Sequence, residues 1–286
     1  MFTFYINGEY VEEANATLAA RDLSILRGYG VFDFLRTYGG NPFRLDKNIE
    51  RLRRSCELIE LDFPWSNEEI TAIILETLRR NATEADDFDI RIVVTGGISS
   101  NNIRPDGEPS LIIMMQPTRI MPPEWYSDGV KVITTDMKRL FPNAKTTMYT
   151  PAILAQKRAR AAGGVEALYQ DEQGNVLEGT TSSLFILQGN TLITPDTAGG
   201  QILPGITRMT VLEIAEPHYD VQLRHLPYEE LIHADEVFIT AANKQIVPVI
   251  AVDDHQIGDG KPGEGTRHLM SLFKALTERR AAGETI

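Results

Sequence analysis

The 286-residue sequence is short of cysteine, of basic residues and of long apolar runs, and each shortage excludes a class of protein. Cys56 is the single cysteine, so an internal disulfide and a cysteine-rich metal site are excluded. We therefore expect no metal ion and a reducing, cytoplasmic environment. No segment approaches the roughly 20 apolar residues of a membrane-spanning helix, and the first residues lack a signal-peptide layout.

The charge is acidic, with 28 Lys and Arg residues against 40 Asp and Glu residues and a formal net charge of −12. Nucleic acids and anionic membranes bind basic surfaces, so we expect neither as a partner. Because single cores stop growing at roughly 250 to 300 residues, two domains are expected. A Pro-rich, aperiodic segment begins at Pro117. It predicts a first domain over 1–117, a linker over 118–128 and a second domain over 129–286.

Local patterns predict both helices and strands in the first domain. Asn7-Gly8 tolerates the positive φ angles of a two-residue turn and predicts a hairpin. A helix is expected with Asp46 as its cap, and the stretch from Ser66 to Glu69 is a capping box that opens a second helix. Apolar and polar residues alternate from Phe88 to Thr95, which is typical of a strand with one apolar face.

The second domain also mixes helices with strands. The stretch from Val130 to Thr134 predicts a strand, and the Ala-rich stretch from Ala152 to Ala162 predicts a helix. Turn residues separate further short strands after it. A helix should begin near Ile206 and end before Pro217, since a proline inside a helix loses a hydrogen bond and clashes with the preceding turn. These patterns predict a mixed α/β (α+β) fold class.

Three widely spaced segments each place a chemically active residue in a distinctive context. Lys145 is followed by Thr-Thr-Met-Tyr, Glu178 by Gly-Thr-Thr-Ser, and Gly205 by Ile-Thr-Arg. Together they resemble the fold-type IV pyridoxal-phosphate enzymes, which include the class IV aminotransferases, and segments 236–240 and 258–267 look like D-amino-acid aminotransferases. The resemblance implies a small α/β N-terminal domain, a larger C-terminal domain with a distorted β-barrel, and a homodimer that binds pyridoxal 5′-phosphate between its domains.

The resemblance also implies which residues bind the ring of the cofactor. Such an enzyme needs an amine for the Schiff base with the cofactor and an acid for the pyridine nitrogen. Lys145 would supply the amine, and Glu178 would keep the ring nitrogen protonated. Tyr149 would hydrogen-bond the 3′ oxygen, and Leu203 would pack against the ring.

The cofactor phosphate needs positive charge and backbone donors. By resemblance, Arg51 supplies the cation, while Ile206 and Thr207 supply donors at the N-terminus of a helix, where the helix dipole adds favourable partial charge. Ala241 and Ala242 occupy a second phosphate loop of the family. Ala242 stands where the relatives have Thr or Ser, so only the backbone N–H groups of this loop can contribute.

The substrate site departs from the pattern of the relatives. D-amino-acid aminotransferases usually carry an Arg-x-His pair that binds the substrate carboxylate, but the corresponding stretch reads Asn-Asn-Ile here. We expect Arg27 and Arg91 to replace that pair and Phe32 to complete the substrate site. The alternative is that one of these arginines pairs with Asp33 or Asp89.

The resemblance therefore implies a transaminase that moves an amino group between an amino acid, with D-amino acids preferred, and a 2-oxo acid such as 2-oxoglutarate or pyruvate. Lys145 would carry the proton between the substrate Cα and the cofactor C4′. A branched-chain L-amino-acid aminotransferase is the main alternative, although Phe34 stands where those enzymes have glycine. An aminodeoxychorismate lyase and a non-catalytic relative that only binds the cofactor are two further alternatives.

Overall fold

The computed structural model describes every residue from Met1 to Ile286, and these residues form two compact units. The first unit comprises Met1–Arg119, Ala144–Met148 and Thr277–Ile286, and the second comprises Ile120–Asn143 and Tyr149–Leu276. The short segment around Lys145 therefore belongs to the first unit, although it is distant in sequence from most of that unit. Its placement depends on hydrogen bonds to a strand of the first unit, which local sequence patterns do not reveal.

The first unit contains a six-stranded sheet and three helices. Its elements are β1 (Thr3–Ile6), β2 (Glu9–Glu12), α1 (Leu23–Arg27), β3 (Gly30–Tyr38), β4 (Asn41–Pro42), α2 (Leu45–Leu58), α3 (Asn67–Asn81), β5 (Phe88–Thr95) and β6 (Ser110–Pro117). The strands run antiparallel to their neighbours in the order β2-β1-β6-β5-β3-β4. Side chains of adjacent strands therefore meet in register on each face of the sheet.

The local predictions for this unit are confirmed except for one helix cap. The hairpin between β1 and β2 turns at Asn7 and Gly8, which have φ angles of 47° and 101°. The capping box is present, because Ser66 Oγ accepts from the Glu69 N–H and the Glu69 carboxylate accepts from the Ser66 N–H. The prediction that Asp46 caps α2 is wrong. Arg44 is the N-cap residue at φ 53°, so the helix begins at Leu45 and Asp46 lies in its first turn.

Helices α2 and α3 pack on one face of the sheet. The apolar face of β5, with Ile90, Ile92 and Val94, is fully buried in this core. The core also contains Ile49, Leu52, Cys56, Ile70, Ile74, Leu111 and Ile113. Because side chains alternate along a strand, Arg91 points to the other face, opposite Phe34 of β3.

The second unit contains a nine-stranded sheet with helices on it. Its elements are α4 (Glu124–Ser127), β7 (Val130–Thr135), α5 (Thr150–Ala161), β8 (Glu166–Gln170), β9 (Val176–Gly179), β10 (Ser183–Gln188), β11 (Thr191–Thr194), α6 (Ile206–Ala215), β12 (Asp220–Leu223), α7 (Tyr228–Ile232), β13 (Glu236–Ala241), β14 (Gln245–Val252), β15 (His255–Gln256) and α8 (Glu264–Ala281), the last of which ends beyond this unit. The strand order is β12-β11-β10-β13-β14-β7-β8-β9, with β15 paired to β14.

This sheet curls. Strand β9 is at the end of the order, yet the chain passes from it directly into β10, and the Gly179 N–H donates to the Ser182 carbonyl at 2.7 Å in the connecting turn. Both faces are buried along β10, because Leu184 and Ile186 join one apolar cluster while Phe185 joins another. In the second cluster the Phe185 ring stacks on Phe238, with centroids 4.9 Å apart.

The two units combine helices with antiparallel and mixed sheets, so the predicted α/β (α+β) fold class is confirmed. The curled sheet of the second unit corresponds to the expected distorted barrel. None of the helices combines the length with the apolar character that crossing a membrane requires.

Candidate active site

Lys145 lies on a short extended segment that is hydrogen-bonded to the start of β3. The Phe32 N–H donates to the Lys145 carbonyl at 2.8 Å, and the Thr147 N–H donates to the Gly30 carbonyl at 2.9 Å. A Cβ at Gly30 would lie 2.8 Å from the Val94 carbonyl oxygen, so only glycine fits there without displacing β5. These contacts fix the main chain of Lys145 beside Phe32.

The side chains of Lys145 and Arg91 both approach the ring of Phe32. Lys145 Nζ lies 4.8 Å from the ring centroid, and Arg91 Cζ lies 5.1 Å from it. Arg91 is also 5.6 Å from the ring of Phe34, its cross-strand partner. Three predicted site residues, Lys145, Arg91 and Phe32, are therefore brought together on one face of the sheet.

Arg51 forms a buried ion pair on the neighbouring helix. It lies on α2 with 9% of its side chain exposed, and its Nε and Nη2 donate to Asp33 Oδ2 and Oδ1 at 2.9 and 2.8 Å. Asp33 is fully buried on β3. The hypothesis that Asp33 pairs with Arg27 or Arg91 is wrong, because Asp33 faces the helix and is bound there by Arg51.

Ser55 connects Lys145 to the same helix. Its hydroxyl oxygen accepts from the Lys145 N–H at 3.1 Å and donates to the Arg51 carbonyl at 2.8 Å. One turn of α2 therefore positions both the main chain of Lys145 and the base of the Arg51 side chain. The sequence analysis missed Ser55, since a serine inside an amphipathic helix carries no signal of such a contact.

Arg27 ends α1 and is exposed. Its Nη1 donates to the Leu26 carbonyl at 2.9 Å. The next residue, Gly28, accepts from Thr147 Oγ1 at 2.9 Å, so the main chain beside Arg27 contacts the segment that carries Lys145. Asp89, the other aspartate considered as an arginine partner, accepts from the Arg119 N–H at 3.2 Å.

In the second unit, Glu178 is a buried carboxylate near the end of β9. Five per cent of the residue is exposed. One oxygen, Oε1, accepts from Arg139 Nη1 at 2.5 Å, and the other, Oε2, accepts from the Leu203 N–H at 3.2 Å. A buried charge needs such partners, and here a cation and a backbone donor supply them. The Leu203 contact also attaches Glu178 to the chain that leads into α6.

A cavity of about 360 Å³ opens beside Glu178, with Arg139, Leu177 and Gln201 in its lining. Tyr169 also lines it, and the Tyr169 hydroxyl is buried without a hydrogen-bond partner. Burial raises the pKa of Tyr169 to about 12, against the opposing effect of the Arg139 cation. The phenol is therefore neutral at physiological pH and offers an uncharged donor in the wall of this cavity.

Tyr149 follows the Lys145 segment and occupies the N-cap position of α5. Its side chain is half-buried. Tyr149 and Tyr169 are close enough for their charges to interact. Both phenols therefore belong to the same part of the second unit.

The N-terminus of α6 is available to an anion. Gly205, its N-cap, has no side chain that could cap Ile206 and Thr207 in the first turn. A Cβ at Gly205 would lie 2.6 Å from Ser183 Oγ, so glycine allows the helix to begin directly against β10. The positive end of the helix dipole is thus held at Ser183.

The turn after β13 lies next to this helix end. Ser183 pairs in register with Thr240, which is followed directly by Ala241 and Ala242. The Thr240 hydroxyl is buried without a hydrogen-bond partner. Because buried hydroxyls are normally paired, this atom marks a place for a missing acceptor.

These groups fit the parts of pyridoxal 5′-phosphate. The α6 N-terminus, the turn at Ala241 and Ala242 and the unpaired Thr240 hydroxyl are donors suited to a phosphate. Glu178 is an acid suited to the ring nitrogen, and Lys145 is an amine suited to the aldehyde. Leu203 is buried and reaches Glu178 through its N–H.

The sequence analysis missed Arg139 and the partner of Arg51. Arg139 precedes Lys145 by six residues in an aperiodic stretch, and nothing in that stretch distinguishes it from a surface arginine. Asp33 was considered as an arginine partner, but the strand and helix patterns do not show that Arg51 faces it. In both cases the relationship exists only between elements that the fold brings together.

Comparison with protein families identifies one match over most of the chain. The family model described as amino-transferase class IV matches residues 30–252. This range begins with β3 and ends with β14, so it includes Lys145, Glu178 and the phosphate-type donors of α6.

Individual relatives extend the match to nearly the full length. A protein of Methanocaldococcus jannaschii described as a putative branched-chain-amino-acid aminotransferase is 37% identical over 280 residues, which cover 95% of each chain. A D-alanine aminotransferase of Staphylococcus haemolyticus is 28% identical over 288 residues, covering 99% of this chain and 100% of its own. A solved structure of a branched-chain amino acid aminotransferase (organism T.th.) with pyridoxamine 5′-phosphate has a TM-score of 0.90 and 27% identity, covering 98% of this chain and 95% of that one.

Proposed function

Because the chain belongs to the class IV aminotransferases, we propose that it transfers an amino group from an α-amino acid, preferably of the D series, to a 2-oxo acid such as 2-oxoglutarate or pyruvate. Enzymes of this family use pyridoxal 5′-phosphate. Lys145, Arg91 and Arg27 are proposed to act on the substrate, and the remaining predicted residues are proposed to bind the cofactor.

The observation that carries this proposal is the approach of Arg91 and Lys145 to one aromatic ring. Their charged groups lie 5.1 and 4.8 Å from the Phe32 centroid. In an α-amino acid, the reacting amine and the carboxylate are attached to the same carbon, so their binding groups must also be close together. A guanidinium binds a carboxylate through two parallel hydrogen bonds, which suits Arg91 to this role. Arg27, whose neighbour Gly28 is bound by Thr147, is proposed as the second cation.

When bound, the cofactor withdraws electrons from the substrate Cα, provided that its ring nitrogen carries a proton. We assign that proton to the care of Glu178, a buried carboxylate held in place by Arg139 and by the Leu203 N–H. Tyr149 is proposed to donate to the 3′ oxygen and the Leu203 side chain to pack on the ring.

Lys145 is proposed to remove the proton from the substrate Cα and to return it to the cofactor C4′. Its main chain is held by Phe32 and Ser55, so the amine moves on a tethered side chain rather than with a mobile loop. A positioned general acid–base group of this kind contributes about 10²- to 10⁴-fold to the rate.

The phosphate is proposed to bind donors from several elements. Arg51 contributes a guanidinium whose orientation is set by Asp33. Ile206 and Thr207 contribute the N-terminus of α6, and Ala241 and Ala242 contribute backbone N–H groups. Several donors are expected, because a phosphate dianion in a partly buried site requires most of its oxygens to be hydrogen-bonded.

The preference for D-amino acids is supported by the two arginines, which replace the Arg-x-His pair that the chain lacks. The relatives described as D-alanine aminotransferases are compatible with it. A branched-chain L-amino-acid aminotransferase is the second candidate. It is supported by the relative at 37% identity and by the similarity to a branched-chain aminotransferase structure.

A half-reaction screen tests the proposal directly. The holoenzyme is mixed with single amino acids, without an acceptor, and the loss of its visible absorbance is followed. We expect D-alanine and D-glutamate to react fastest. If L-leucine or L-valine reacts faster than every D-amino acid, the D preference is wrong and the branched-chain candidate replaces it. If no amino acid reacts, transamination itself is wrong.

The attachment site has its own test. Borohydride makes the bond between the cofactor and its lysine irreversible, and peptide mapping then locates the label. We expect the label on Lys145, and its recovery on another lysine would contradict the assignment. Lys145→Ala should abolish turnover and keep weakened cofactor binding, because Arg51 and the α6 N-terminus remain.

A homodimer is proposed as the assembly. The second unit exposes the large apolar side chains of Leu140, Ile153 and Leu154, and grouped apolar surface of this kind is typical of interfaces. Light scattering coupled to size exclusion should give twice the 31.9 kDa mass of the chain. A mass equal to that of one chain at working concentration would contradict the proposal.

A further inference from the structure

Lys244 and Glu166 form an ion pair in the second unit that none of the proposed steps uses. Lys244 Nζ lies 2.8 Å from Glu166 Oε2 and donates to Thr181 Oγ1 at 2.7 Å. The Lys244 side chain is 8% exposed and that of Glu166 is fully buried. Burying two charges removes the hydration of both, so such a pair requires well-placed partners.

Hydroxyl groups complete the surroundings of Glu166. Oε2 also accepts from Thr181 at 2.7 Å and from Ser182 at 3.1 Å, and Oε1 accepts from the Thr180 hydroxyl. Burial acts to raise the pKa of Glu166, but the Lys244 ammonium and these hydroxyls outweigh it, so the pKa is lowered. The carboxylate is therefore ionised, and its charge matches that of Lys244.

The pair joins segments that are far apart in the sequence. Lys244 lies in the turn between β13 and β14, where its N–H donates to the Ala241 carbonyl at 3.1 Å. Glu166 begins β8, which is two strands away from β14 in the sheet. Thr181 lies in the turn that leads from β9 into β10, on the other side of β13. Lys244 thus fastens its turn to both sides of the curled sheet.

The same contacts connect this turn to the N-terminus of α6. Thr181 is two residues before Ser183, which pairs with Thr240 and closely approaches Gly205. The turn itself offers no side-chain hydroxyl at Ala241 or Ala242. The direction of its N–H groups is therefore the only means by which these two residues can bind a phosphate.

We propose that Lys244 is a positioning residue, which holds the N–H groups of Ala241 and Ala242 towards the phosphate by anchoring their turn to Glu166 and Thr181. The inference rests on the proposed function, since it requires a cofactor phosphate at this turn. Lys244 acts through geometry, because its charge is balanced by Glu166.

The test compares two ligands that differ only in the phosphate. Lys244→Met alone leaves the Glu166 carboxylate buried without its cation and can prevent folding, so the main variant is Lys244→Met combined with Glu166→Gln. Full-length protein stripped of cofactor is titrated with pyridoxal 5′-phosphate and, separately, with pyridoxal. We expect the double variant to bind pyridoxal 5′-phosphate about tenfold more weakly than the wild type, while pyridoxal binding changes by less than about twofold.

Arg224→Met combined with Glu230→Gln is the matched control, because it neutralises another ion pair of the same unit at a partly exposed position. It should leave both affinities unchanged. If the Lys244 and Glu166 variant loses affinity equally for both ligands, or for neither, the positioning role is wrong. If wild-type protein fails to bind pyridoxal 5′-phosphate, the proposed function is wrong, and this inference is wrong with it.

Discussion

Arg51 and Asp33 form a two-point ion pair between α2 and β3, with donor–acceptor distances of 2.9 and 2.8 Å. Both side chains are buried, and Phe32, next to Asp33, is hydrogen-bonded to Lys145. The pair therefore has two consequences. It holds a helix to the strand that positions Lys145, and it orients the guanidinium that we assign to the cofactor phosphate.

Asp33→Ala should destabilise the fold, because it leaves the Arg51 guanidinium buried without its carboxylate. We expect a loss of about 3 to 5 kcal/mol in the free energy of unfolding, as is usual when one member of a buried pair is removed. Urea unfolding followed by circular dichroism measures it. Glu76→Gln, which removes the carboxylate bound by exposed Arg79 and Arg80, serves as the control and should change stability far less. Equal effects of the two substitutions would show that the buried pair has no special importance.

Glu178→Gln should leave the fold intact and slow proton removal from the substrate. A neutral amide cannot keep the ring nitrogen of the cofactor protonated, and terms of this kind are worth about 10²-fold or more. Single-turnover absorbance measurements with D-alanine give the rate. Glu172→Gln is the matched control, because Glu172 lines the same cavity but pairs with exposed Lys138. A Glu178→Gln rate equal to that of the control would refute the assigned role.

Arg91→Gln and Arg27→Gln should each weaken the reaction with substrates that carry an α-carboxylate. A hydrogen bond to a charged group is worth about 1.5 to 3 kcal/mol, which corresponds to about 10- to 150-fold in kcat/KM. A primary amine without a carboxylate should be nearly unaffected. Arg104→Gln, at an exposed loop position, is the control. If either arginine can be replaced without loss for D-alanine and D-glutamate, that arginine does not bind the carboxylate.

Cys56 should be unreactive in the native protein. It is fully buried on α2, and burial raises the pKa of its thiol to about 12. Since the thiolate is the reactive form, iodoacetamide at about pH 8 should label Cys56 only after denaturation, as measured by intact mass. Rapid labelling of the folded protein would contradict the burial.

The same shift has a consequence for stability. Because the folded pKa of Cys56 exceeds the unfolded value, the unfolded state loses its proton first, and stability should decline as the pH rises above about 8.5. Cys56→Ala removes this contribution and should flatten the decline in urea unfolding measured at several alkaline pH values. An identical pH dependence in the two proteins would contradict the shift.

Sequence-local features were predictable because the interactions that cause them join near neighbours. The hairpin at Asn7 and Gly8 depends on two residues that accept positive φ, and the capping box depends on Ser66 and Glu69, three positions apart. The alternation along β5 correctly separated Arg91 from the buried face. Asp46 shows the limit of this approach, since the left-handed conformation of Arg44 started α2 before the expected cap.

By itself, the sequence determined which chemical groups the protein possesses and which local elements carry them: an amine at Lys145, a carboxylate at Glu178 and a helix beginning at Ile206. Only the tertiary structure decided which partners these groups have. Asp33 and Arg51 are 18 positions apart, Arg139 and Glu178 are 39 apart, and Glu166 and Lys244 are 78 apart. No local periodicity encodes such pairs, because each forms only when two elements with independent patterns are packed together and their buried charges must be compensated.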